Sequence, residues 1–271
     1  MKKRILLFSF LGALLIAVIF RVYALINLLE YETGFVKRES KTAYGVLFFL
    51  TVALAVAVCL FALSSGPVAE KKKHFSLTGT VFTFLLGVAT ASEPVTSIFT
   101  GVPSAIKVAF VVLSYVTAAY FILLAVRPFV HFKLSPKFAV LPICLFTVKA
   151  ATVFITTSYH AVISDTVLNV IIYCLSMLFF LELARAVNGA GGKRSVHKIT
   201  AFGLLVSFFA ITSSVPKILL GIFFGEALHE SASSAFLPLF LGLYIASLVF
   251  SRVSFSSGGD LKFGVYYAGK H

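Results

Sequence analysis

The sequence predicts an all-α integral membrane protein, a polytopic bundle of about eight transmembrane helices. Three observations predict it. The 271-residue chain is 59% hydrophobic and only 12% charged, whereas a soluble domain is roughly half apolar and about a quarter charged. Its mean hydropathy is +1.02, and several apolar runs reach about 20 residues, the length that crosses a hydrocarbon core of ~30 Å. Basic residues, finally, concentrate in alternate connecting segments, the asymmetry that orients membrane proteins.

Eight spans account for the apolar runs, at about 5–29, 42–64, 77–101, 104–126, 138–159, 165–186, 199–225 and 235–253. They make residues 1–255 a single transmembrane domain and leave 256–271 as a short cytoplasmic tail. The first span follows Met1-Lys2-Lys3-Arg4. Its apolar stretch, 5–20, exceeds the central region of a secretory signal, and no small-x-small cleavage site follows, so it reads as retained. The basic start suggests a bacterial cell membrane. Between spans one and two, Lys37, Arg38 and Lys41 are accompanied by Glu30, Glu32 and Glu39. The turn after span two carries Lys71, Lys72 and Lys73.

Span three contains a carboxylate and a helix breaker side by side, Glu93 and Pro94. Only Gly101 to Pro103 separates it from span four, which predicts a tight antiparallel hairpin. Lys107 opens span four, Lys149 lies in the middle of span five, and Asp165 stands at the start of span six. A glycine-rich turn at 188–192 leads to span seven, which carries Pro216 and Lys217. With the amino terminus inside, the inner segments hold sixteen Lys and Arg residues and the outer ones three. That bias places both termini in the cytoplasm and supports an even number of spans.

Shifting the sequence by 122 residues lays Thr90 on Thr212, Ser92 on Ser214 and Pro94 on Pro216, and aligns the basic turns that start at Lys71 and Lys193. This is the pattern that two parallel four-helix repeats would give, an arrangement some transporters use. Compositional matching of membrane segments gives the same pattern without any repeat.

The net charge of +13 is explained by topology and by anionic lipid headgroups, so the bilayer is the expected partner and nucleic acid is not. The three cysteines, Cys59, Cys144 and Cys174, sit in apolar runs with no CxxC and read as inert thiols. Trp is absent, which leaves Tyr to supply any aromatic belt.

Ionisable groups inside a membrane are costly and mark functional candidates. Five fall within the spans: Arg21, Glu93, Lys107, Lys149 and Lys217. Arg21, Glu93 and Lys217 come 16 to 18 residues after the inner end of their spans, roughly 24–27 Å up at 1.5 Å per residue. Lys107 is also high, and Lys149, flanked by Thr147 and Thr152, is close to the midplane. The functional reading is an outward vestibule with Lys149 at its floor. It would hold an anionic ligand, or an ion pair between Glu93 and one lysine that opens during a cycle. The plainer reading has Arg21 and Lys107 snorkelling to headgroups and Glu93 ending its span. Pro94 and Pro216 each remove a backbone donor. Thr90, Ser92, Thr96 and Ser97 surround the first and Thr212, Ser213 and Ser214 precede the second. They mark either discontinuous helices at a binding site or simple kinks with hydroxyls bonded back to the helix.

Other chemistry finds less support. Glu226, His229 and Glu230 form an ExxHE cluster, and His160 and Asp165 lie in a second outer loop. They are weak metal-ligand candidates, since residue types alone do not make a coordination geometry. No nucleophile elbow, P-loop or dinucleotide-binding glycine pattern is present, so no cofactor is expected. The leading reading is a small permease for a small, anionic solute. A sensor or assembly subunit acting through a protein partner or a homo-oligomer is the alternative. An intramembrane lipid-modifying enzyme using the outer His and carboxylates is a third.

Overall fold

The computed structural model describes residues 2–29, 36–64, 77–96, 104–130, 134–157, 164–190, 193–224 and 232–252. The basic turn at 71–73, the tail, and His160, Glu226, His229 and Glu230 lie outside the described residues. Eight α-helices make up almost all of the rest. They are α1 (Lys2–Tyr23), α2 (Lys41–Ser64), α3 (Leu77–Thr96), α4 (Ser104–Val130), α5 (Leu141–Thr157), α6 (Ser164–Val187), α7 (Lys193–Phe224) and α8 (Phe236–Ser247). Short π-helical turns, Ala24–Leu28 and Leu248–Arg252, extend α1 and α8, and a 3-10 turn, Pro136–Val140, leads into α5. Among the described residues the sole β contact is an isolated bridge between Leu29 and Val36.

Six helical segments are long and apolar enough to cross a membrane: Ile5–Leu28, Arg38–Ser64, Ala105–Val130, Pro136–Ile155, Thr166–Val187 and Ser195–Phe223. Each falls within a few residues of a predicted span. The two remaining predicted spans differ for identifiable reasons. α3 carries Thr78, Thr80, Thr83, Thr90, Glu93 and Pro94 in only 20 residues, which dilutes its apolar character. The last apolar helix, Phe236–Phe250, is short.

Large apolar side chains point outward all round the bundle. Phe8, Phe49, Phe154, Ile222 and Phe223 are among the most exposed. In water such a surface would aggregate, and it suits a lipid-facing one. With lipid outside, burial of apolar area gives helices little reason to associate, so close packing and buried polar contacts must do so. The packing is centred on α7. Of its apolar window 67% is buried, against 22% for those of α1 and α2. It packs on α1, α2, α6 and α8.

Glycines mark the closest approaches between helices, Gly203 of α7 among them, where a Cβ would meet Val249 Cγ2 at 2.7 Å. A Cβ at Gly87 of α3 would meet Ile122 Cγ1 at 2.8 Å and the Ala118 carbonyl oxygen at 3.2 Å. α3 and α4 pack closely on each other; the predicted turn between them, 101–103, lies outside the described residues. A Cβ at Gly242 of α8 would meet Ile211 Cγ1 of α7 at 2.9 Å. α8 lies between the helices that carry Pro94 and Pro216, packing on both α3 and α7, and the Ala232–Ala235 turn before it also touches both.

Candidate functional site

The predicted breaks at Pro94 and Pro216 do not interrupt either helix. α3 continues past Pro94 to Thr96, and α7 runs through Pro216 from Lys193 to Phe224. The hydroxyls around the first proline bond back to their own helix: Thr90 donates to the Leu86 carbonyl at 2.7 Å and Ser92 to that of Ala89 at 3.0 Å. This matches the kink reading, in which back-bonded hydroxyls accompany an intact helix. The second proline differs. Thr212 and Ser214 are buried, and among the described residues their hydroxyls have no hydrogen-bond partner.

Two of the five in-span charges meet directly. Lys149 Nζ of α5 donates to Glu93 Oε1 of α3, forming an ion pair buried within the bundle. The Lys149 side chain is 5% exposed and that of Glu93 13%, so neither charge is solvated as it would be at a surface. The same ammonium lies 4.8 Å from the ring centroid of Tyr173 on α6 and 5.7 Å from that of Phe110 on α4. Both are within the ~6 Å over which a cation is drawn to an aromatic face. Four helices thus contribute one group each. α3 supplies the carboxylate, α5 the ammonium, and α4 and α6 the rings. Tyr173 is itself the end of an aromatic column. Phe146 stacks on it at 6.1 Å, Phe180 stacks on Phe146 at 5.6 Å, and Tyr244 of α8 stacks on Phe180 at 6.5 Å. The column fixes the ring under the ammonium and ties the site to α8.

Lys107 is half-buried one turn before Phe110 on α4, on the side of the helix that carries this ring. Among the described residues no hydrogen bond or ion pair to it is found. Arg21 is buried, at 6% exposure, and its guanidinium donates to Tyr44 Oη on α2 at 3.1 Å. It therefore faces protein and does not snorkel. Lys217 is buried on α7. Leu220, one turn later, packs with Leu25 and Leu29, and Tyr44 packs against the same cluster. This sets Lys217 near the Arg21–Tyr44 contact in the α1–α2–α7 group.

Of the metal candidates, only Asp165 lies among the described residues, in the first turn of α6. Among the described residues no group of three His, Cys, Asp or Glu comes together as a metal site. Cys59 is a buried free thiol, and Cys144 and Cys174 are exposed free thiols.

Sequence reasoning missed Glu182. It is buried near the end of α6 and gathers three partners across the α6–α7 turn. Ser195 Oγ donates to its Oε2 at 2.9 Å, and Arg185 and Lys198 donate to its Oε1 at 3.2 and 3.4 Å. The signal was present, as a Glu followed three residues later by Arg and then by a basic turn. Phe110 and Tyr173 were also missed, because nothing in the sequence separates them from the other aromatic residues of the spans. Comparison of the chain with protein-family models, with curated proteins and with solved structures finds no match.

Proposed function

We propose that the chain is a small permease for a solute bearing an anionic group, with Glu93, Lys149 and Lys217 along its path and Arg21 and Lys107 flanking it. The observation that carries this reading is the buried Lys149–Glu93 pair held between four helices. Charges within a membrane cost too much to keep without a use, and in transporters they mark solute and ion pathways. An ion pair on separate helices is also a contact that can open, because a charged solute replaces one of its partners. The excess of cations among the five in-span groups favours an anionic group on that solute.

In this reading α3 and α8 also cross the membrane, giving eight spans with both termini on the basic, cytoplasmic side. α3 is then a span whose polar residues are turned to the pathway, which accounts for its lower hydropathy. The matching Pro94 and Pro216 make α3 and α7 the corresponding helices of two parallel four-helix halves. The test is solute flux into liposomes containing the purified protein, across a panel of small organic and inorganic acids and amino acids. Uptake of at least one class that is absent from protein-free liposomes and abolished by Lys149→Ala is expected. Uptake by the variant equal to that of the natural chain, or no uptake across the panel, would overturn the reading.

A further inference from the structure

The Glu93–Lys149 site holds one negative and one positive charge that neutralise each other. Any solute that opens the pair must leave both charges compensated, because a buried charge stripped of its partner is strongly unfavourable. A simple anion that takes Lys149 parts Glu93 from that ammonium. A simple cation that takes Glu93 does the same to Lys149. A solute carrying one charge of each sign inserts between them and leaves every charge paired.

The surroundings specify the cationic end of such a solute. The Lys149 ammonium already occupies a place defined by a carboxylate and two aromatic faces, Tyr173 at 4.8 Å and Phe110 at 5.7 Å. A carboxylate with aromatic faces is the chemistry that recognises an ammonium group. Tyr173 is held there by its stack with Phe146, and Phe110 is fully buried at 2% exposure, so the place persists when Lys149 moves. Lys149 itself is a flexible four-carbon stem with three rotatable donors, able to withdraw and receive a carboxylate.

We propose that the solute at this site is a small zwitterion, its ammonium taking the place of the Lys149 ammonium at Glu93, Tyr173 and Phe110 and its carboxylate binding the displaced Lys149. This rests on the reading of the pair as the solute site and refines the anionic group to one half of a dipolar molecule. Binding is a simple exchange of ion pairs, with no proton or electron to supply.

The test is ligand-induced stabilisation of the purified full chain. Thermal unfolding is followed by the loss of helical circular dichroism. The probes are glycine, β-alanine and 4-aminobutyrate as zwitterions of increasing length, acetate as the anion and ethylammonium as the cation. At equal concentration at least one zwitterion should raise the midpoint by about 3 °C or more, with acetate and ethylammonium producing no comparable rise. In Lys149→Met the preference should move to ethylammonium, and in Glu93→Gln to acetate, each refilling the vacated charge. If acetate or ethylammonium stabilises the natural chain as well as the zwitterions do, or if no zwitterion stabilises it, the inference fails; this panel decides even if the variants do not fold. Anion flux without zwitterion binding overturns the inference and leaves the permease standing. Zwitterion binding without flux supports the inference and removes the permease.

Discussion

Lys149 and Glu93 stand 56 residues apart in the chain and meet across α5 and α3 as a buried ion pair. Because both are held inside the bundle, the loss of one should cost more than the loss of both. Removing a single partner of a buried pair costs about 3–5 kcal/mol, since it leaves the other charge uncompensated. Replacing both with apolar groups of similar size is often close to neutral. Glu93→Leu and Lys149→Met should each lower the thermal midpoint strongly, and the double variant should recover most of that loss. A double-mutant cycle on the purified chain measures the coupling. Additive losses would show that the two side chains act independently.

The α3–α4 hairpin should be sensitive to one methyl group. Gly87 faces Ile122 and the Ala118 carbonyl so closely that an added Cβ would clash with both. In a membrane such small-residue contacts take the place of hydrophobic burial as the source of helix association. Gly87→Ala should destabilise the chain by about 1–3 kcal/mol, the usual cost of overpacking. Ile122→Ala in the same chain removes the nearest atom and should return part of the loss, although the carbonyl contact remains. Thermal unfolding of the single and double variants checks both expectations.

Glu182 should matter more than the cations that reach it. Arg185 and Lys198 are both more than half exposed, and exposed ion pairs contribute only about 0–1 kcal/mol. Ser195, in contrast, is buried with its hydroxyl on the carboxylate. Arg185→Ala and Lys198→Ala should therefore each change stability by less than about 1 kcal/mol. Glu182→Ala leaves the buried Ser195 hydroxyl only the Glu182 carbonyl oxygen, at 3.5 Å, and should cost about 1–3 kcal/mol. Ser195→Asp sets two carboxylates together and should be worse still. Limited proteolysis at the 188–192 turn would register the loosened α6–α7 hairpin as faster cleavage.

What the sequence made legible, and what it did not, follows from the range of each interaction. Spans are local: twenty apolar residues in a row declare themselves, and six of the eight predicted runs appear as long apolar helices within a few residues. The pairing of α3 with α4 was legible for the same reason, from their adjacency in the chain. Glu93 and Lys149 stood out singly because charge within an apolar run is conspicuous. Which lysine would meet Glu93 was not legible, since that contact depends on how α3 and α5 are placed by α4, α6 and α8. Arg21 sits near a span end and looked free to reach headgroups, but Tyr44 of the neighbouring helix captures it. The centrality of α7 was hidden too. It is the least apolar of the six long apolar helices, and its neighbours make it the most enclosed.

The eight-span arrangement predicts the side on which each connection lies, and α3 is the span that decides it. If α3 crosses, residue 70 is cytoplasmic and residue 100 is outside; if it does not, both lie on one side. Cys59, Cys144 and Cys174 are first replaced by Ala to give a chain without thiols. Single cysteines are then placed as Glu70→Cys and Thr100→Cys, with Arg38→Cys and Ala190→Cys as references on the outer and inner sides. A membrane-impermeant thiol reagent applied to intact cells should label positions 38 and 100 and spare 70 and 190. Everted vesicles should give the reverse. The basic residues at 71–73 favour the cytoplasmic side for that turn, so position 70 is the firmer of the two new sites. Labelling of 70 and 100 from the same side would remove α3 from the membrane-crossing set. The proposed path past Glu93 would then fail.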